Sequence, residues 1–388
     1  MRALEVFFQF LRLGCTSFGG PVAHLAYFRK TFVERERWLD DATFGECVAL
    51  TQLLPGPGSS QTGMLLGWLR AGVPGALAAW VAFTLPSALV MALLAMSHVQ
   101  FSTATGAPHG LLLVAVGVVA SAIIGMRPAL APDPVRIIIA IGAAAAALWS
   151  QAAPVAPVAI AAAATGGVLL LRDGVATSVP RLDLGISKRT GIIVLAAFSF
   201  ALVALTALAV SGNRLAILAN LVFRTGSLVF GGGHVVLPLL QRALAGAGIV
   251  SQSDILGGYA AAQAMPGPLF TIAAFAGARA DGGSYGWLGA LTATVAIFAP
   301  SFFLLAGVAP FYRSLASNLW FRRALAGANA GVLGLLCAAF VSPVFVSAIH
   351  TVADGGIALG AFVAITYFRV PAWAVVLAGA FAAYLLRM

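Results

Sequence analysis

Two stretches of the chain combine residue types that bind an anion through backbone groups. The first stretch, 52–61, reads QLLPGPGSSQ, and the second, 263–268, reads QAMPGP and repeats the first about 210 residues later. Proline and glycine interrupt a helix, so a helix that enters either stretch must end there. The helix that resumes beyond the break begins with unpaired N–H groups and the positive end of its dipole, and such a helix start attracts anions.

Two glycine runs add helix starts of the same kind. The run FGG at 18–20 recurs as FGGG at 230–233, so the sequence predicts four breaks from which a helix begins. Hydroxyl and amide donors follow the break of 52–61, whereas Thr271 is the one such donor after the break of 263–268. The two copies are therefore predicted to differ in their chemistry.

Two arginines lie midway along apolar segments, at matching positions before the two glycine runs: Arg12 and Arg224. An arginine at the centre of a membrane helix costs about 2.5–3.5 kcal/mol and usually faces a cavity or a partner. Two guanidinium groups near helix starts suit a doubly charged oxyanion, because their paired donors match its oxygens. The alternative is that Arg12 extends its side chain to the cytoplasmic face.

The predicted substrate site gathers the glycines of the breaks, the polar residues beside them and both arginines. Its members are Arg12, Gly19, Gly20, Gln52, Gly56, Gly58, Ser59, Ser60, Gln61, Arg224, Gly232, Gly233, His234, Gln263, Gly267 and Thr271. Histidine titrates near neutral pH, so two histidines and one intramembrane carboxylate are candidates for proton coupling: His24, Glu46 and His234. Alternatively, the histidines are packing residues and Glu46 is the counter-ion of Arg12.

The composition is that of a membrane protein. Of the 388 residues, 61% are hydrophobic and 9% are charged, with a mean hydropathy of +0.99; soluble domains carry about 25% charged residues. Most Lys and Arg residues fall in loops between apolar runs, so the net charge of +10 is interpreted as a signal for orientation, and nucleic acid is not expected as a partner. The three cysteines match no metal spacing, and no metal or cofactor is expected.

The sequence predicts an all-α polytopic membrane protein built from a duplicated unit. Residues 1–171 form the first copy, 172–212 a cytoplasmic linker and a connecting transmembrane helix, and 213–388 the second copy. The segments beside the breaks are shorter than the roughly 20 residues that a full crossing needs. We therefore expect broken or re-entrant helices, with about nine full spans and about four helical hairpins, or about thirteen segments if the hairpins are counted as spans.

The distribution of Lys and Arg favours the hairpin arrangement. With the N-terminus in the cytoplasm, hairpins leave a larger cytoplasmic excess of these residues than broken full spans do. In both arrangements an odd number of crossings separates the copies, so the copies are predicted to be inverted relative to each other. Inverted repeats with broken helices at mid-membrane are typical of secondary transporters.

These motifs resemble those of the chromate ion transporter family, in its long form with two homologous halves. The segments that carry the resemblance are FGGPVAH at 18–24, YFR at 27–29, WL at 38–39, LPGPGSSQ at 54–61, FGGGH at 230–234, LP at 237–238, GY at 258–259, Gln263 and PGPLF at 266–270. The resemblance implies a multi-pass protein of the bacterial inner membrane that exports chromate, with the proton gradient or the membrane potential as its energy source. It also implies that sulfate competes with chromate.

Several alternatives stay open beside chromate export. A sulfate-like uptake carrier or an anion channel would use the same kind of site, and a homodimer is compatible with either. An intramembrane enzyme acting on lipid phosphates is a rival from another class. The sequence contains no metal cluster, carboxylate pair or nucleophile–base spacing, so no enzymatic activity is predicted.

Overall fold

The structure is a computed structural model that describes residues 1–18, 20–97, 107–149, 155–171, 182, 184–229, 235–371 and 373–379. Its described part is helical and contains no strand, which confirms the predicted all-α class. The α-helices are α1 (Arg2–Thr16), α2 (Gly20–Phe28), α3 (Asp41–Leu53), α4 (Gly58–Met96), α5 (Ala107–Leu130), α6 (Pro134–Trp149), α7 (Val155–Leu170), α8 (Lys188–Val210), α9 (Arg214–Leu228), α10 (Val236–Leu240), α11 (Gln252–Ala264), α12 (Ile272–Gly283), α13 (Gly286–Val308), α14 (Tyr312–Ser317), α15 (Leu319–Ala339), α16 (Val346–Ala348) and α17 (Val352–Thr366).

Shorter segments of other helical types continue some of these helices. Three are π-helical, namely Arg29–Arg35, Gln241–Ala245 and Phe340–Phe345, and two are 3₁₀-helical, namely Leu269–Thr271 and Ala309–Phe311. The first two π-helical segments follow α2 and α10, which lie at corresponding places of the two halves. The duplication predicted from the sequence motifs therefore extends to local helix geometry.

The chain reverses direction at the two Pro-Gly-Pro breaks. Helices α3 and α4 run antiparallel from the first break, so that the hydroxyls of Thr51 and Thr62 are 2.9 Å apart. At the second break α11 and α12 pack so closely that a side chain on Gly258 would overlap the ring of Phe275. Both contacts join residues that lie nearly equally far from the central glycine of the break, and this pattern is that of a helical hairpin.

Beyond each of the two glycine runs, the chain also comes back into contact with the helix that precedes the run. The amide of Gln9 on α1 donates to Glu36, beyond α2, over 3.2 Å. Arg214, the first residue of α9, donates to the carbonyl oxygen of Gly248 over 3.0 Å. These contacts are those expected for the predicted hairpins rather than for broken full spans.

Helix α4 consists of two antiparallel helices joined by a sharp turn. Ala71 and Gly72 leave the helical conformation, with φ of −148° and +64°, and the flanking pieces pack through Gly67 and Gly75, where an added side chain would clash with backbone. The second half repeats this arrangement, with α12 packed on α13 through its own pair of glycines. Small residues permit such close approach of membrane helices.

The long helices that follow the two breaks, the second part of α4 and α13, are antiparallel to each other. The ring of Trp80 lies 5.9 Å from that of Phe298 and 5.5 Å from that of Phe302, while the other end of α4, at Met96, lies beside Gly286. Corresponding helices of the two halves thus run in opposite directions where they touch.

Four described helical segments are long and apolar enough to cross a membrane: Gly58–Met96, Lys188–Val210, Gly286–Phe311 and Leu319–Ser342. The helix predicted between the copies is present as α8, and its most apolar stretch is not buried in the protein. Helix α15 packs against α6 and α7, and α17 packs against α5. The predicted number of spans and the domain boundaries stay predictions.

Candidate functional site

The breaks of one half bind the breaks of the other half through a reciprocal pair of backbone hydrogen bonds. The N–H of Gly56 donates to the carbonyl oxygen of Val229 over 2.6 Å, and the N–H of Gly267 donates to that of Ser17 over 2.9 Å. Both donors are the central glycines of the Pro-Gly-Pro units, and each acceptor lies one residue before its glycine run. The two Pro-Gly-Pro units therefore meet the residues that directly precede the two glycine runs.

Only glycine fits at the two donor positions. Gly56 has φ +128° and Gly267 has φ +94°, values that side chains other than that of glycine rarely tolerate. A side chain on Gly56 would approach Ser301 Oγ to 2.8 Å, and one on Gly267 would approach Ser87 Oγ to 2.9 Å. Both serines follow a proline that the two copies share. The occurrence of this Pro-Ser pair in both copies is a signal that could have identified the two serines from the sequence, although the sequence prediction did not assign them to the site.

A buried histidine connects the first break to the first glycine run. His24 is 1% exposed; its Nε2 lies 3.2 Å from the carbonyl oxygen of Ser17, and its Nδ1 lies 3.2 Å from the hydroxyl of Ser59. Because a carbonyl oxygen can only accept, Nε2 must carry a hydrogen. In the neutral ring Nδ1 then accepts the hydroxyl hydrogen of Ser59, and Phe83 packs against the imidazole at 5.2 Å.

The start of α4 presents backbone donors beside this histidine. The first helical hydrogen bond of α4 runs from the N–H of Gln61 to the carbonyl oxygen of Pro57 over 2.8 Å, and no side chain caps this end. The N–H groups of Gly58, Ser59 and Ser60 therefore lie outside the helical hydrogen bonding. Both serines are buried, so these donors point into the protein interior rather than into bulk water.

Gln61 stabilises the first break. Its Nε2 donates to the carbonyl oxygen of Pro55 over 2.7 Å and to Ser301 Oγ over 3.3 Å. The first bond satisfies a carbonyl group that the break releases from α3, and the second joins the two halves. Gln61 is fully buried, so both bonds are shielded from competition with water.

Several polar atoms near the first break are buried and have no hydrogen-bond partner within the described part of the chain. They are Ser17 Oγ, Ser60 Oγ, Gln61 Oε1 and Thr84 Oγ1. A buried polar group without a partner costs about 1–3 kcal/mol, and a group kept at this cost often serves a ligand. The three hydroxyls among these atoms have free hydrogens and are donors of the kind that an oxyanion needs.

The second break is apolar at the corresponding positions. Phe270 is 1% exposed and Ile272 is fully buried, where the first break has Ser59 and Gln61. The hydroxyl of Thr271 donates to the carbonyl oxygen of Pro268 over 2.9 Å and is thus already used. The predicted difference between the copies is confirmed in its direction: polar groups collect at the first break.

Three residues of the predicted site are exposed. They are Arg12, Gln52 and Arg224. Helix α1 buries the face of Val6, Phe10, Leu13 and Gly14, and α9 likewise buries the face that includes Phe223 and Gly226. The arginines fall on the opposite, exposed faces of these two helices, and their part in substrate binding stays a prediction.

Of the remaining predicted residues, some have contacts in the structure and the others lie outside its described part. Gly20 begins α2 with φ +76°, and Gln263 hydrogen-bonds the buried Tyr259. The carboxylate of Glu46 accepts from the backbone N–H of Leu182. Gly19, Gly232, Gly233 and His234 lie outside the described residues.

Comparisons with known proteins agree over most of the chain. A family model described as Chromate transporter matches residues 4–168 and 216–384. A protein named an uncharacterized transporter from Methanocaldococcus jannaschii is 27% identical over 346 residues, which are 87% of this chain and 83% of that protein. A chromate transport protein of Pseudomonas aeruginosa is 28% identical over 349 residues, 86% of this chain and 79% of the relative.

A third relative, a probable chromate transport protein of Synechococcus elongatus, is 26% identical over 340 residues, 86% of this chain and 82% of its own. No solved structure matches this chain. The two matched ranges of the family model fall on the two halves that the repeated motifs define. The family model thus matches this chain twice, once in each half.

Proposed function

The chain belongs to the chromate transporter family, and from this premise we propose that it exports chromate, or a sulfate-like divalent oxyanion, from the cytoplasm across the bacterial inner membrane. Family membership supports chromate transport across the membrane; the direction, the energy source and the binding residues are our proposal. The observation that carries the proposal is the polar first break, held against the second half by the reciprocal glycine hydrogen bonds.

The substrate binds at the start of α4. A tetrahedral dianion accepts hydrogen bonds from the N–H groups of Gly58, Ser59 and Ser60 and from the free hydroxyls of Ser17 and Ser60. The positive end of the α4 dipole adds a favourable interaction with the anion. This site needs no guanidinium group, since backbone and hydroxyl donors replace the water molecules that the anion leaves behind.

His24 controls the hydroxyl of Ser59. In the neutral histidine this hydroxyl donates to Nδ1 and is withheld from the anion. A protonated Nδ1 would donate to the oxygen of Ser59 instead and would release its hydrogen for the substrate. We therefore expect His24→Gln to flatten the pH profile of transport; a pH profile equal to that of the wild type would remove His24 from proton coupling.

Alternating access comes from the opening of the two reciprocal bonds. The halves are inverted repeats in this proposal, which the antiparallel contact of α4 and α13 supports. Separating Gly56 from Val229 would open the substrate site toward one side, and separating Gly267 from Ser17 would open it toward the other. Each state keeps one of the two bonds, so the two openings are similar in cost.

The membrane potential is a sufficient energy source for export. Each elementary charge that crosses the membrane changes the free energy by about 2.3 kcal/mol per 100 mV. A dianion that leaves a cytoplasm with negative potential therefore gains about 4.6 kcal/mol per 100 mV. An uptake carrier would have to overcome this term with co-transported protons, and a channel would not need the alternating states.

The proposal is tested in proteoliposomes loaded with radiolabelled chromate or sulfate. A potassium diffusion potential, negative inside, should accelerate chromate efflux, and unlabelled chromate outside should drive counterflow of the label. Liposomes without protein provide the background. Efflux that responds to a pH gradient but not to the potential would favour proton-coupled uptake, and efflux without counterflow would favour a channel; either result would refute the proposed mechanism.

A further inference from the structure

A cavity of about 390 Å³ opens on the protein surface between α1 and the π-helical segment Arg29–Arg35. Residues of α1, the end of α2 and this π-helical segment line it: Gln9, Arg12, Leu13, Thr16, Tyr27, Lys30, Thr31, Glu34 and Arg35. The hydrogen bonds of the π-helix span five residues, so Lys30, Glu34 and Arg35 fall on one side of it. The volume exceeds that of a bare tetrahedral oxyanion.

The cavity has an excess of positive charge that its own residues do not neutralise. Its one carboxylate, Glu34, pairs with Arg29 outside the cavity over 2.5 Å, and Arg35 pairs with Glu36 over 2.9 Å. Arg12 and Lys30 have no ion-pair partner among the described residues. Two unpaired cations that face one concave surface raise the local concentration of anions.

The corresponding cation of the second half has a structural role instead. Arg242 and Lys30 are each the second residue of their π-helical segments. Arg242 is partly buried and donates through Nη2 to the carbonyl oxygen of Ala147, near the end of α6, over 2.8 Å. A cation at a helix C-terminus is stabilising. In the first half no such acceptor is recorded for Lys30, and the ammonium group is available for a ligand.

We propose that this cavity is an anion site separate from the first break, in which Arg12 and Lys30 bind a tetrahedral oxyanion from solution or from a lipid headgroup. The guanidinium group of Arg12 offers paired donors, and the ammonium group of Lys30 offers a second charge. If the ligand is free substrate, the cavity collects it before it reaches α4, and that part of the inference rests on the proposed function. If the ligand is a lipid phosphate, the cavity anchors α1 and α2 at the membrane surface.

Direct binding tests the site without reliance on transport. Radiolabelled sulfate is titrated onto the full chain in phosphatidylcholine nanodiscs, and binding is read by scintillation proximity. We expect Arg12→Gln and Lys30→Gln each to weaken one class of sulfate sites by about tenfold, the loss expected for a hydrogen bond to a charged group. Arg2→Gln, which removes an exposed cation of α1 outside the cavity, is the matched control and should bind as the wild type does.

The binding experiment separates the two anion sites and the two ligand sources. The class of sites lost in Arg12→Gln should persist in Ser60→Ala, because Ser60 lies at the first break. Nanodiscs that contain phosphatidylglycerol then identify the source: competition with sulfate in the wild type assigns the cavity to a lipid phosphate, and unchanged sulfate binding assigns it to the free anion. Equal sulfate binding by the wild type, Arg12→Gln and Lys30→Gln in phosphatidylcholine would overturn the proposal.

Transport kinetics then distinguish this inference from the proposed function. A collecting site should affect chromate transport through KM, with a rise of about tenfold in Arg12→Gln and kcat within about twofold of the wild type. A protein that binds sulfate in this cavity but moves no chromate would refute the proposed function and leave the anion site intact. A fall in kcat at unchanged KM would show that Arg12 acts in the transport cycle and not in collection.

Discussion

The two Pro-Gly-Pro breaks share their backbone geometry and differ in their side chains. Gly56 and Gly267 adopt positive φ values and donate to corresponding carbonyl groups of the opposite half. The first break continues into buried serines and Gln61, whereas the second continues into Phe270 and Ile272. Duplication thus supplied a symmetric pair of backbone hydrogen bonds, and polar side chains are concentrated on one side of it.

Because the two breaks differ, the requirement for glycine geometry can be distinguished from the requirement for polar donors. The reciprocal bonds need glycine on both sides, because the geometry is the same on both sides. In the proposed function the donors for a dianion are needed once, at the first break. A second polar break would add buried groups without partners, at a cost of about 1–3 kcal/mol each. The apolar second break avoids that cost.

The largest effect on transport and stability should come from variants that disturb the positive-φ backbone conformation of Gly56 and Gly267. Gly56→Ala and Gly267→Ala each force a side chain into a left-handed conformation, at a cost of about 1–3 kcal/mol, and each also crowds a serine of a neighbouring helix. We expect both variants to lose transport and to melt earlier, as measured by thermal unfolding followed by size-exclusion chromatography.

Gly45→Ala is the matched control for these variants. Gly45 lies within α3 with an ordinary helical conformation and open space around it, so the variant should fold and transport as the wild type does. If Gly56→Ala were damaging and Gly267→Ala were neutral, the hinge would not be symmetric, and the two-sided opening would be wrong.

A second pair of variants sharpens the chemical difference. Ser60→Ala removes a buried hydroxyl that has no partner in the described part, so stability should stay equal or rise while transport falls at least tenfold. Thr271→Val, at the corresponding position, removes a hydroxyl that donates to Pro268; it should lose about 1 kcal/mol of stability and keep its transport rate. Unfolding and proteoliposome flux measured on both variants test this reversal, and parallel losses in both would contradict it.

Gln61→Ile copies the second break into the first, because Ile272 is the residue at the corresponding position. The variant leaves the carbonyl group of Pro55 without its donor, and we expect a loss of about 1–3 kcal/mol with reduced transport. Gln61→Glu keeps the shape but replaces the donor by an acceptor, so it should be at least as damaging. Wild-type stability in both variants would show that Gln61 does not hold the break.

The smallest effect is expected on stability, from changes to the N-terminal caps of α3 and α11, the helices that lead into the breaks. Asp40 caps α3 by accepting from the N–H of Thr43, whereas Ser251 caps α11 by accepting from that of Asp254. The hydroxyl and the N–H of Thr43 hold the pKa of the exposed Asp40 below its ordinary value. Because the folded-state pKa is lowered, the stabilisation is present above the ordinary pKa and is lost as pH falls through the folded-state value.

The two caps should therefore respond differently to acid. Replacing Asp40 by serine copies the uncharged cap of α11 and should remove this part of the acid sensitivity. The measurement is the difference in thermal midpoint between the wild type and Asp40→Ser at pH 7 and in acid. A difference that does not shrink in acid would contradict the role of the charged cap.

Much of this arrangement could be predicted from particular residues. The Pro-Gly-Pro units and glycine runs correctly predicted where helices end, and the unequal residues after them predicted the chemical difference between the halves. The binding roles of Arg12 and Arg224 stay predictions. Their placement within apolar segments indicated a cavity or a partner, but the face on which they lie depends on which side of α1 and α9 packs against α4 and α13.

The sequence by itself determined the helical membrane class, the duplication and the four breaks, because composition and the conformational limits of proline and glycine act locally. Only the tertiary structure decided which breaks touch, which hydroxyls remain without partners, and that Ser87 and Ser301 close around the central glycines. The physical reason is that these contacts join residues of opposite halves, and no local pattern encodes the packing of helices so far apart in the chain.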